Sequence, residues 1–175
     1  MKKILIVVDM QNDFIDGSLG TEEAVAIVDN VVKTIEDFDG LVICTRDTHQ
    51  ENYMETSEGR HLPVVHCIEN TQGWEIRKEV AEAVEGKEHL IIDKPTFGSE
   101  KLIETLKEIE DREGIKDLTL VGLCTDICVV SNALMVKAAF YEKDVKVLEK
   151  CCAGVTPDSH EAALTTMRMC QIEVE

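Results

Sequence analysis

Three side chains able to carry out acyl transfer each stand at the end of a short apolar run. Asp9 closes the run Ile4 to Val8, Lys94 follows His89 to Asp93, and Cys128 lies just beyond Leu118 to Leu123, where a helical pattern begins. A thiol at a helix N-terminus feels the positive end of the helix dipole, and a neighbouring ammonium lowers its pKa further, so a thiolate is expected near neutral pH. A carboxylate within reach takes the thiol proton and hands it to a departing amine. Singly, each residue has a plainer reading: a strand-ending Asp as a cap, a following Lys as a solvated charge, a Cys at the start of an apolar helix as core. Their joint placement at one sheet edge favours the reactive reading.

A second set lies in the stretch between two of these runs. Asp47 and His49, with His66 further on, offer a carboxylate and two imidazoles. That mixture suits Zn, Fe or Mn with positions left for water or substrate. Scattered acids and histidines in an acidic loop are ordinarily solvated, so these residues alone do not establish a metal site.

The elements that must position both sets follow from periodicity. Ile4 to Val8, Leu41 to Thr45, His89 to Asp93, Leu118 to Leu123 and Val145 to Leu148 are strand-length and nearly uniformly apolar, the pattern of parallel strands covered on both faces. Between them, Thr21 caps a helix with Val25, Val28, Val32 and Ile35 on its apolar stripe. Further helices are predicted from Trp74 to Val84, from Ser99 through Ile109 to Gly114, from near Cys128 through Ala139, and from the cap Thr156-Pro157 to Cys170, with a short final strand at Ile172 to Val174. Strands alternating with helices give an α/β, doubly wound, mainly parallel sheet of five or six strands with helices on both faces. Residues 1–175 make one domain. Its weakly periodic stretch at about 46–73 is long for a compact domain and is read as the active-site loop. Ligands in such sheets bind beyond the carboxyl ends of the strands, where Asp9, Lys94 and Cys128 are placed.

A formal net charge of -17 opposes binding to nucleic acid or anionic membrane surfaces, and points to a small-molecule substrate. Seven cysteines form an odd set without a secretory pattern, so they are read as thiols and not as a disulfide framework. The first apolar run is too short for a signal-peptide core or a membrane span, so the expected compartment is the cytoplasm.

Three stretches resemble the signatures of the isochorismatase-like cysteine hydrolases: Val7 to Phe14, Asp93 to Ser99, and Val121 to Val129. Cys151-Cys152-Ala153-Gly154 with His160 to Leu164 is similar to the closing segment of that family. The resemblance implies Cys128 as nucleophile, Asp9 as proton shuttle and Lys94 as the cation holding both. It also implies a non-proline cis peptide between Leu123 and Cys124, turning the N–H groups of Cys124 and Cys128 toward the developing oxyanion. In the nicotinamidase-like branch the metal residues fall on Asp47, His49, His66 and Cys67. Some members add a glutamate, for which Glu58 has nearly the spacing and Glu55 is the weaker candidate. The implied metal is Zn, with Fe or Mn as alternatives, and the implied reaction is hydrolysis of nicotinamide to nicotinate and ammonia. The alternative is another small amide, such as a ureido or carbamoyl compound. The resemblance also implies a homo-oligomer. His61 and His89 match no motif position and are read as surface or strand-end residues, and His160 as structural. Trp and an aromatic residue usual in nicotinamidases are replaced here by Thr48 and by Leu62 to Val65. Phe14, with Tyr53 as a second candidate, is then left to stack on a pyridine ring, and Trp74 is read as packing.

Overall fold

The alternating pattern resolves into six strands, eight α-helices and two short helical turns in the computed structural model, which describes all 175 residues. In chain order they are β1 (Lys2–Val8), α1 (Asn12–Ile15), α2 (Glu22–Ala26), α3 (Val28–Asp37), β2 (Leu41–Asp47), α4 (Ser57–His61), α5 (Lys78–Glu85), β3 (His89–Lys94), α6 (Glu100–Glu113), β4 (Ile115–Leu123), α7 (Val130–Ala139), β5 (Asp144–Ala153), α8 (Pro157–Met169) and β6 (Glu173–Val174). A 3-10 turn at Tyr53–Glu55 precedes α4, and a π-helical turn at Thr125–Val129 leads into α7. All strands pair in parallel, in the order β3-β2-β1-β4-β5-β6. No helix is long and apolar enough to cross a membrane.

The uniform apolarity of the central strands has a direct cause. Along β1, Ile4, Ile6 and Val8 enter one core, while Leu5 and Val7 enter another on the opposite face. The first core is closed by Leu102, Leu106 and Ile109 of α6, Ala133 and Val136 of α7, and Leu164 and Met167 of α8. The second is closed by Phe14 and Ile15 of α1, Ala24 of α2, Val28, Val31 and Ile35 of α3, and Val80 and Val84 of α5. Burying each of the larger of these side chains contributes about 1.5–3 kcal/mol, so neither face tolerates a polar residue without a partner.

Two helical expectations need correction. The pattern after Thr21 is not one helix but two, meeting at Ile27, and the buried positions are Ala24, Val28, Val31 and Ile35, while Val25 is exposed. The helix expected from Trp74 begins only at Lys78, because Gln11 and Ile76 form a β-bridge and the Arg77 N–H donates to the Met10 carbonyl at 2.8 Å. The strand order reverses between β1 and β4, which makes the carboxyl ends of those two strands the natural site of a crevice.

Candidate active site

The reactive set assembles at that crevice. Asp9 leaves β1 in a left-handed backbone conformation, φ +47°, that Asp adopts more readily than most residues. Its Oδ1 accepts from Thr45 Oγ1 at 2.7 Å. Lys94 ends β3, which β2 separates from β1. Adjacent strands lie about 4.8 Å apart, so only a long cationic side chain spans β2 from there. Lys94 Nζ reaches Asp9 Oδ2 at 2.7 Å, Asp47 Oδ1 at 3.5 Å, the Thr96 carbonyl at 3.0 Å and Cys128 Sγ at 3.5 Å. Asp9, Lys94 and Cys128 are therefore brought together, and all three are buried. Asp9 Oδ2 meets the Lys94 ammonium and no other side-chain donor, which leaves it a lone pair for a further proton.

The nucleophile's turn is built by the end of β4. Gly122 has φ +119° and packs so tightly that a Cβ there would lie 2.1 Å from the Val8 carbonyl oxygen. The Leu123–Cys124 peptide is cis, as the resemblance implied. Cys128 sits inside the π-helical turn, one residue before its end.

The expected low thiol pKa is not what the geometry supports. Burial first, and the Asp9 carboxylate second, push the Cys128 thiol well above its ordinary value, and Lys94 only partly offsets them. Burial likewise raises Asp9, against the pull of Lys94. Lys94 is held protonated: burial opposes the charge, but the carboxylates of Asp9 and Asp47 outweigh it. Burial thus favours the neutral form of the Cys128 thiol and raises the basicity of the Asp9 carboxylate beside it.

The second set also converges. One donor atom each from Asp47, His49, Glu58 and His66 lie within 4.8 Å of one another. His49 Nε2 is 2.9 Å and His66 Nε2 3.5 Å from Asp47 Oδ2, and both imidazole nitrogens are 3.6 Å from Glu58 Oε1. His66 Nδ1 faces the Val64 carbonyl at 2.8 Å. A carbonyl only accepts, so Nδ1 carries the hydrogen and Nε2 presents its lone pair inward, the usual orientation of a metal-binding histidine. Burial would raise Asp47, but His49, His66 and Lys94 together hold it well below the usual carboxylate range. Glu58 is raised by burial and by the charge of Asp47. Asp47 Oδ1 is buried without a hydrogen-bond partner. Two carboxylates, two imidazoles whose Nε2 atoms face them and an orphaned oxygen fit a divalent cation.

Cys67 and Glu55 are not in this cluster. The Cys67 side chain lies in the core with α1 and α3, where burial pushes its thiol up. Its backbone, at φ +47°, donates its N–H to Asp13 Oδ2 at 2.7 Å. Tyr53 is not free to stack on a ligand: it is fully buried, its hydroxyl donates to the Leu62 carbonyl at 2.8 Å, and its ring braces His49 and His66 at 4.8 and 5.0 Å. Trp74 packs as expected, with the Arg46 guanidinium 3.8 Å over its ring and its indole N–H donating to Thr48 Oγ1 at 2.8 Å. His61, the last residue of α4, lines the cavity, whereas His89 lies at the start of β3. His160 Nδ1 is 2.8 Å from Thr125 Oγ1 and ties α8 to the nucleophile's turn.

Three supporting residues escaped the sequence reading. Gln11, wholly buried, accepts the Asp47 N–H at 2.7 Å and donates to the Asp47 and Trp74 carbonyls at 2.8 Å, fixing the end of β2. Thr45 orients Asp9. Asn132 donates to the carbonyls of Cys128 and Phe97 and accepts the Ser99 N–H, joining the turn to the loop after β3. A polar amide interrupting an apolar helix was the available signal for Asn132.

Phe14, Asp47, Glu58, His66, Cys124 and Cys128 all line one cavity of about 580 Å³. Phe14 lies against His66, ring centroids 5.5 Å apart.

Comparison with known proteins agrees with this architecture. An isochorismatase domain model matches residues 3–175. The chain is 28% identical to a nicotinamidase from Schizosaccharomyces pombe, over 97% of this chain and 91% of that protein. Its structure superposes on that of a nicotinamidase/pyrazinamidase from Bacillus subtilis with a TM-score of 0.87 and 28% identity, covering 99% of each chain. A pyrazinamidase from Pyrococcus horikoshii, solved in complex with zinc, gives 0.84 and 29%, covering 100% of this chain and 99% of that one. A match running from the first strand to the last places this chain in the isochorismatase family.

Proposed function

We propose that this chain is an amidohydrolase that converts nicotinamide to nicotinate and ammonia through a thioester on Cys128. The observation that carries this reading is that Cys128, held with Asp9 and Lys94, lines the same cavity as Asp47, Glu58 and His66 of the Asp47, His49, Glu58 and His66 cluster. The nicotinamidases among its relatives support the choice of substrate.

Cys128 Sγ attacks the amide carbon as its proton passes to Asp9, whose raised basicity and available Oδ2 suit that transfer. The N–H groups of Cys124 and Cys128 receive the negative charge that develops on the carbonyl oxygen. Asp9 then returns the proton to nitrogen, the C–N bond breaks and ammonia leaves. In the second half Asp9 takes a proton from water as it attacks the thioester, and the thiol is released with the acid. Lys94 keeps its charge throughout and holds Asp9 and Cys128 in register. Asp47, His49, His66 and Glu58 would hold a divalent cation, zinc with iron or manganese as alternatives, which would supply Lewis acidity to the bound substrate. Phe14 offers an aromatic face to the ring.

The test is ammonia release from nicotinamide by the zinc-loaded protein, with Cys128→Ala inactive and an acyl adduct on Cys128 seen by mass spectrometry after brief exposure. Nicotinamide left intact while another small amide is cleaved would overturn the substrate assignment. Metal analysis without stoichiometric Zn, Fe or Mn would overturn the role of the cluster.

A further inference from the structure

The cavity over Cys128 exceeds what a bare pyridine carboxamide needs. Its volume of about 580 Å³ falls inside the range of roughly 300–1,000 Å³ that accommodates drug-sized ligands. The groups that grip a small amide occupy only one part of it. Asp47, Glu58 and His66 are drawn together within 4.8 Å, and Lys94 joins Asp47 to Cys128 by two 3.5 Å contacts. No lysine, arginine or further carboxylate belongs to the remaining lining, where Leu19, Ala24, Ile127 and Val155 offer apolar surface. These come from separate segments: the stretch between α1 and α2, α2 itself, the π-helical turn, and the loop after β5. The unfilled part is therefore a mainly apolar chamber of the substrate site with walls on several sides, where His61 is the only further imidazole and Thr21, Ser57 and Thr96 add hydroxyls without charge.

We propose that the site prefers heteroaromatic carboxamides carrying an apolar substituent on the ring over the unsubstituted amide; this rests on the amidohydrolase reading above. A substituent directed into the chamber meets apolar walls in both ground and transition states, so the gain appears as a lower KM with kcat little changed. Each methylene so buried is worth about a fourfold gain in kcat/KM.

The experiment compares nicotinamide with its 5-methyl, 5-ethyl and 5-propyl derivatives on the zinc-loaded protein, and repeats the series with Ala24→Leu and, from a different segment, Leu19→Phe. The expected result is a rise of about fourfold per methylene in the parent, flattened or reversed in at least one folded variant. Hydrolysis of nicotinamide with a flat or falling series in the parent overturns this inference and leaves the amidohydrolase reading intact. A rising series unchanged in both variants overturns the assignment of the chamber as its cause. No hydrolysis of any of the four overturns the amidohydrolase reading and this inference with it.

Discussion

Replacing Lys94 by Met tests the ion cluster at its centre. The side chain is wholly buried, so Met, of similar length, keeps the packing and removes only the charge. Asp9 Oδ2 then loses the cation 2.7 Å away and Asp47 Oδ1 the one at 3.5 Å, leaving Thr45 Oγ1 as the side-chain partner of Asp9. Breaking a buried pair on one side costs about 3–5 kcal/mol. For a domain of this length each kcal/mol is worth about 2–4 °C in Tm, so the expected loss is about 6–20 °C at neutral pH. The pH dependence carries a definite sign. Burial already raises Asp9 and Lys94 opposes it, so without Lys94 the folded-state pKa of Asp9 moves further above its unfolded value. A group raised on folding contributes stability at pH below its unfolded pKa and loses it as pH climbs through the folded one. The deficit of Lys94→Met should therefore shrink as pH falls from 8 toward about 5, and adding Asp9→Asn should recover most of it at neutral pH. Thermal unfolding followed by circular dichroism, with chelator present throughout so that metal loss does not track pH, measures this. A single variant as stable as the parent, a deficit independent of pH, or a double variant no better than the single would refute the buried ion-pair account.

Three further outcomes follow from the same geometry. Because burial and Asp9 raise the Cys128 thiol, the rate of its alkylation by iodoacetamide should keep climbing, about tenfold per pH unit, through the ordinary thiol range near 8.5; a plateau at or below pH 7 would show a preformed thiolate instead. Glu58→Gln should weaken zinc binding about tenfold or more in competition with a chromophoric chelator, since Glu58 Oε1 stands 3.6 Å from both imidazole nitrogens; unchanged affinity would remove Glu58 from the ligand set. Gly122→Ala should lower the Tm by at least about 6 °C, from strain of about 3 kcal/mol, because its positive φ coincides with a Cβ position 2.1 Å from the Val8 carbonyl oxygen; a variant as stable as the parent would contradict the tight pairing of β1 and β4.

Which features could be read in advance depended on whether their cause is local. The strands were legible because burial on both faces leaves no room for alternation, and Ile4 and Leu5 of β1 do enter opposite cores. The placement of Asp9, Lys94 and Cys128 was legible because parallel topology carries every strand end to one edge. The break between α2 and α3 was not, since Ile27 itself stays in the right-handed helical region and the apolar spacing runs on across it. The residues before α5 are held by Met10 and Gln11, far away in sequence, and no local pattern announces that. The ionisation of Cys128 failed for a related reason. A helix start and a lysine are visible in the chain, but the depth at which the sulfur sits and its closeness to a carboxylate arise only on folding, and those two effects outweigh the cation. The consequence is mechanistic. Burial raises both the Cys128 thiol and the Asp9 carboxyl beside it, and such a pair suits transfer of the sulfur's proton to Asp9 together with formation of the C–S bond, in place of a thiolate formed in advance.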